Sequence, residues 1–218
     1  KTADAILLGA VGHPDARLPN GDLAGANVIF GLRFGLDLYA NVRPVKLYPG
    51  VRHKIHNGFK QVWKHGLVDF VIVRENTEGL YTPARGTLSR GGTDEVAVDS
   101  RVITRKGTER VVRFAFELAT HRQGAPKDGK HRVTCVDKSN VLPSMAFFRK
   151  VFDEVAREFP DVQTDRVYVD AMALFLVQRP HTFDVVVTEN MFGDILSDLS
   201  AGLMGGMGIA PSADVGDE

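Results

Sequence analysis

The chain has 218 residues, 44% of them apolar and 25% charged, with 27 basic against 27 acidic side chains and no net charge. That length can bury a substantial core, and the charge balance argues against a general nucleic-acid or acidic-membrane partner. No apolar run reaches the roughly 18 residues of a membrane span, and the single cysteine, Cys135, excludes an intrachain disulfide and fits a reducing cytosolic setting as a small buried apolar residue.

The opening "KTADAILLGAVG" resembles neither a signal nor a transit peptide. It reads as a polypeptide already under way, with a strand expected over 5–11. Further strands are expected over 69–74, 132–137, 166–170 and 184–188, all short, rich in Val and Ile, and apolar on both faces as in a covered sheet. Residues 82–104 differ: the "GG" at 91–92 separates two short β-like segments and predicts a hairpin arm. Amphipathic stripes predict helices over 108–122 and 144–159. The basic loop at 121–131 reads as solvated. A last helix is expected between Asn190, as its N-cap, and Gly205, as its stop. Strands alternating with helices imply an α/β protein.

Chemistry-bearing residues gather where strands end. Asp194 and Asp198 stand at i and i+4 of the last helix, hence on one face. Like charges there destabilise a bare helix. Two readings stand: solvated surface aspartates, or ligands of a hard divalent cation. Their apolar neighbours Met191, Phe192, Ile195, Leu196 and Leu199 weaken the first. A third carboxylate, Asp170, closes the strand at 166–170, at the sheet end where α/β proteins bind ligands. Arg33, Arg43 and Arg74 are each ordinary alone, but together they would suit a substrate with more than one carboxylate. Lys138, after the strand at 132–137, is a surface lysine or a base; Tyr81 is an acid or a packing residue.

Taken in order, "LLGAVG", "LRFGLDLYANVRPVKLYPGV", "VIVRENTEGLY", "DKSNVL", "YVDAMA", "FDVVVTENMFGDILSDL" and "GIAPSA" resemble the β-decarboxylating dehydrogenases, the isocitrate and isopropylmalate dehydrogenase family. The pair "NMFGDILSD" and "YVDAMA" is highly specific. The resemblance implies a two-domain α/β/α sandwich with an inserted hairpin arm, acting as a homodimer with active sites shared between subunits. It implies that Arg33, Arg43 and Arg74 hold substrate carboxylates. Asp194 and Asp198 would bind Mg²⁺ or Mn²⁺ with Asp170 of the second copy. Lys138, also lent by that copy, would be the general base. Tyr81 would protonate the enolate, and Asn140 would approach the nicotinamide of NAD. Two family features are absent from this sequence: a "GDGIG"-type turn near the start and an "HGSAPDI"-type loop after "PSA". The expectation is a chain truncated at both ends, with 39–204 as the second domain and 1–38 and 205–218 as pieces of the first.

By the same resemblance, the group on substrate C3 meets Ile29, Phe30 and Val141, an apolar set that suits an isopropyl group. The favoured function is therefore NAD-dependent oxidative decarboxylation of 3-isopropylmalate, a step of leucine biosynthesis. Tartrate or D-malate is the alternative, because "RENTEGLY" resembles those branches and Phe30 could itself fill the pocket. A non-catalytic subunit or an acid-binding module is the alternative from another class.

Overall fold

The computed structural model describes residues 3–9, 11, 13, 15–19 and 24–217. Its frame is one six-stranded mixed sheet. The strands, in chain order, are β1 (Ala40–Lys46), β4 (Asp69–Glu75), β7 (Arg132–Asp137), β8 (Gln163–Tyr168), β9 (Val185–Thr188) and β10 (Ala213–Val215), in the spatial order β10-β1-β4-β9-β7-β8. The four strands from β4 to β8 run parallel, and β1 and β10 are antiparallel additions at one edge. Two separate hairpins, β2 (His53–Ile55) with β3 (Gly58–Lys60), and β5 (Arg85–Arg90) with β6 (Thr93–Asp99), stand outside the sheet.

Helices cover both faces. Alternation along β4 sends Val71 and Val73 to one side and Phe70 and Ile72 to the other. The first side packs against α2 (Arg105–His121) and α3 (Pro143–Ala156) through Val111, Val112, Phe116, Phe148 and Phe152. The second packs against α4 (Val169–Gln178) and α5 (Asn190–Leu203) through Met172, Leu176, Leu196 and Leu203. This is the expected α/β/α layering. Helix α1 (Ala24–Gly35) lies outside these layers and buries only Gly25.

Strand β1 was hidden in the sequence by Pro44, which demotes a run to an edge or a non-strand. The structure shows how the proline is accommodated. Leu47 N donates to Val68 O at 3.0 Å and Asn76 N to Tyr39 O at 3.0 Å, so odd-numbered residues bond to β4. Pro44 therefore turns its nitrogen to the other edge, which β10 covers only as far as Val42.

Several expectations are corrected. The strand expected over 5–11 does not form among its described residues, and Ile6 and Leu7 are exposed; without a neighbouring strand to pair with, such a run has no ladder. Strand β8 begins earlier than expected and ends at Tyr168, so Asp170 lies in the first turn of α4 rather than at a strand end. A carboxylate there complements the helix dipole. Helix α3 stops at Ala156, shortly before Pro160, and Phe159 leaves it to stack on Phe116 with centroids 5.0 Å apart. The cap of α5 is Glu189, not Asn190, since the Glu189 carboxylate accepts from Phe192 N at 2.9 Å. The arm forms with Gly91 and Gly92 at φ 57° and 81°, the left-handed pair of a two-residue hairpin turn. Its second strand ends at Asp99, and Val102 makes only an isolated bridge to Gly79.

Candidate functional site

The sheet brings Arg74 and the N-terminal turns of α5 together. Strands β4 and β9 are parallel neighbours with Arg74 opposite Thr188, so the end of one strand meets the helix that follows the other. Arg74 is 3% exposed. Its Nε donates to Asn190 Oδ1 at 2.8 Å, and its Nη1 donates to Asp194 Oδ1. Helix α5 comes this close because it has no side chain at Gly193, where a Cβ would sit 2.6 Å from Arg74 Cβ and Cγ. Tyr81 completes the group, donating from its hydroxyl to Asp194 Oδ2 at 2.9 Å. Burial, and next the bond to Asp194, push the Tyr81 phenol above its ordinary value, so it holds its proton near neutrality. Burial draws Arg74 below the ordinary arginine value; the Asp194 charge opposes this, while the neighbouring charges of Arg33 and Arg43 reinforce it.

The other two arginines are held by a network the sequence did not announce. Arg33 Nε donates to Asp214 Oδ2 at 3.0 Å. Asn41, fully buried, donates to Asp214 Oδ1 at 2.5 Å and to Ser212 Oγ at 2.9 Å. Arg43 Nε donates back to Asn41 Oδ1 at 2.7 Å. Nothing local marks Asn41 or Asp214, because only the pairing of β1 with β10 makes them neighbours.

A second cluster lies at the same end of the sheet, beyond β7 and β8. Lys138 Nζ donates to Asp170 Oδ1 at 2.6 Å, which lowers the Asp170 carboxyl below its usual range. Asp137 beside it is buried and paired with Arg149. Among the described residues no hydrogen bond or ion pair joins Lys138 or Asp170 to Arg74, Tyr81 or Asp194, so within one chain the two groups are not bonded to each other. Asn140 and Val141 are exposed next to Lys138. Ile29 is one helical turn before Arg33 on α1, and Phe30 stacks on Phe34 with centroids 6.2 Å apart.

Asp194 and Asp198 share one face of α5, but the sequence misjudged that face. Ile195 is 58% exposed and Asp198 is exposed, because α5 buries Phe192, Leu196 and Leu203 instead. Among the described residues, no three His, Cys, Asp or Glu side chains gather as a metal centre within this chain. The pair itself offers the hard oxygen donors that Mg²⁺ or Mn²⁺ prefers. It fits such an ion as two ligands of a set that needs more.

The model of the family described as isocitrate/isopropylmalate dehydrogenase matches residues 1–218. The chain belongs to this family. It is 45% identical over 216 residues to the 3-isopropylmalate/3-methylmalate dehydrogenase of Methanocaldococcus jannaschii, covering 99% of this chain and 57% of that protein. It is 46% identical over 215 residues to the 3-isopropylmalate dehydrogenase of Clavibacter michiganensis, covering 97% and 57%. Among solved structures, the isocitrate dehydrogenase from Methylococcus capsulatus superposes with a TM-score of 0.78 at 39% identity, covering 92% of this chain and 54% of that one. The chain thus spans a little over half the length of these family members.

A buried acid lies near the Arg74 group. Glu189 is fully buried, its Oε1 lies 3.9 Å from Arg101 Nη2, and its Oε2 has no hydrogen-bond partner among the described residues. Gly79, at φ 88°, passes so close that a Cβ there would lie 2.8 Å from Glu189 Oε2. Tyr81 follows two residues later, so this packing also fixes the loop that carries it.

Proposed function

We propose that the whole protein is a metal-dependent, NAD-linked dehydrogenase that oxidatively decarboxylates 3-isopropylmalate. The observation that supports this most directly is the Arg74–Asp194–Tyr81 group, which places a carboxylate-binding fork, a metal-type carboxylate and a protonated phenol in mutual contact. Arg33, Arg43 and Arg74 would bind the two substrate carboxylates in a charge-assisted way. Lys138 would accept the proton of the C2 hydroxyl as C2 gives up hydride, and Tyr81 would deliver a proton to C3 after CO₂ departs. Asp194 and Asp198, with Asp170 of a second copy, would hold the cation, and Asn140 would lie at the nicotinamide; bound there, cation and NAD supply Lewis acidity and the hydride acceptor.

The separation of Lys138 and Asp170 from Arg74 within one chain supports a homodimer whose sites are each built from two copies. In the same reading, 39–204 forms the second domain, 1–38 and 205–218 belong to the first, and the protein works in the cytoplasm without nucleic-acid or membrane partners. No helix among the described residues is long and apolar enough to cross a membrane. The choice of 3-isopropylmalate over isocitrate rests on Ile29, Phe30 and Val141, none of which offers a group to pair a third carboxylate, and an unpaired buried charge is costly. The test is NADH production by the full-length protein with Mg²⁺ against 3-isopropylmalate, D-malate, tartrate and isocitrate. Isocitrate as the best substrate would overturn the reading, and tartrate or D-malate ahead of isopropylmalate would move it to that branch.

A further inference from the structure

The Asp214 network has a consequence for which acids the site accepts. Asp214 is the only carboxylate bonded to Arg33 among the described residues, and the pair is mostly shielded, with side-chain exposures of 11% for Arg33 and 22% for Asp214. It draws only on the Nε of Arg33. The guanidinium is therefore oriented before any ligand arrives, with its Nη groups free of other described partners. Through the buried amide of Asn41, the same carboxylate also fixes Arg43. Ile29, which lines the C3 pocket in the reading above, sits one turn from Arg33 on the same face of α1. The Asp214 charge thus already offsets part of the Arg33 charge, one turn from Ile29, where a charged C3 substituent would need it.

We propose that Asp214 is a specificity-determining residue: it positions Arg33 and Arg43 for two carboxylates while its own charge opposes a third. This rests on the assignment of Arg33 and Arg43 to substrate binding. A carboxylate that only clamped β10 to β1 would, when removed, change stability and affect all substrates alike. A charge that selects substrates changes their ratio.

The experiment compares kcat/KM for 3-isopropylmalate and isocitrate in the full-length dimer with Asp214 intact and in Asp214→Asn, Asp214→Ser and Asp214→Glu. Removing the charge should raise the isocitrate-to-isopropylmalate ratio about tenfold, the scale of one lost like-charge interaction at intermediate dielectric. Asp214→Glu should keep the original ratio. The KM for 3-isopropylmalate should rise in the uncharged variants, with kcat changed less, because ground-state positioning is what is lost. Inhibition of isopropylmalate turnover by isocitrate gives the same comparison without needing isocitrate to react, and should strengthen in the uncharged variants. An unchanged ratio and unchanged inhibition in both Asp214→Asn and Asp214→Ser overturn the proposal. Absence of turnover of every malate-type acid by the unmodified protein would instead overturn the functional reading beneath it.

Discussion

At Gly193 the missing side chain is what lets α5 rest on Arg74. A methyl group there would meet the Arg74 side chain at 2.6 Å, and both partners are held by other bonds. Gly193→Ala should therefore push the Arg74 fork out of place, costing about 1–3 kcal/mol of stability, as overpacking in a filled interior does. The KM for the hydroxy acid should rise at least about tenfold, as the loss of roughly one charge-assisted hydrogen bond implies. Unaltered KM in steady-state assays would show that the contact relaxes without consequence.

Glu189 makes a prediction about pH. Burial raises its carboxyl above the ordinary value of 4.5, and the charges of Arg101 and Arg74 only partly counter this. Below 4.5 the folded and unfolded states both hold the proton, and no penalty arises. As pH climbs, the unfolded chain releases the proton first, so the folded state loses stability until its own carboxyl has ionised. Glu189→Gln removes that penalty while keeping an oxygen to cap Phe192 N. Urea unfolding of the variant and the parent should show a difference that moves in the variant's favour between pH 4.5 and pH 7. A difference independent of pH would mean that Glu189 titrates normally.

At the scale of elements, the arm is the clearest case of a part without a core. Every residue of β5 and β6 is exposed, and Leu88 lies opposite Val96 with Val98 two residues on, giving the ribbon one apolar side. A two-stranded ribbon is marginal alone, so a second copy is the natural cover. Leu88→Lys with Val96→Lys should weaken the dimer of the full-length protein, seen in sedimentation as a shift toward monomer at dilution. A dimer of unchanged affinity would place its contacts elsewhere.

The arm was readable from "GG" and its β-like flanks because a hairpin is a local object. Strands β4, β7 and β9 were readable for the same reason, as continuous apolar runs between turns. Strand β1 was not, since a proline is tolerated only where the neighbouring strand has already ended, and β10 lies more than 160 residues away. The site divided along the same line. The i, i+4 spacing put Asp194 and Asp198 on one helical face, but which way that face turns depended on how α5 meets the sheet. Asn41 and Asp214 carry no local mark, and only tertiary pairing makes them neighbours; Glu189 caps its own helix, but its burial comes from tertiary packing.

For the whole molecule, the two half-sites predict complementation. A Lys138→Ala protein and an Asp194→Asn protein should each be nearly inactive. If sites are shared across a two-fold axis, unfolding and refolding them together yields mixed dimers in which one site has both native halves. Random pairing should then restore about a quarter of the native activity. No recovery, with mixed dimers demonstrated by mass, would show that each chain builds its own site.

Strand order also governs the birth of the protein on the ribosome. Residues 40–42 leave the exit tunnel well before their outer partner, 213–215, which follows them by more than 160 residues. Until β10 emerges, the growing sheet keeps an open margin beside Pro44, and the arginines that margin must organise stay unordered. Nascent chains halted when residue 205 has just left the tunnel should therefore bind holdase chaperones and resist compaction, and halting them about a dozen residues later should release them.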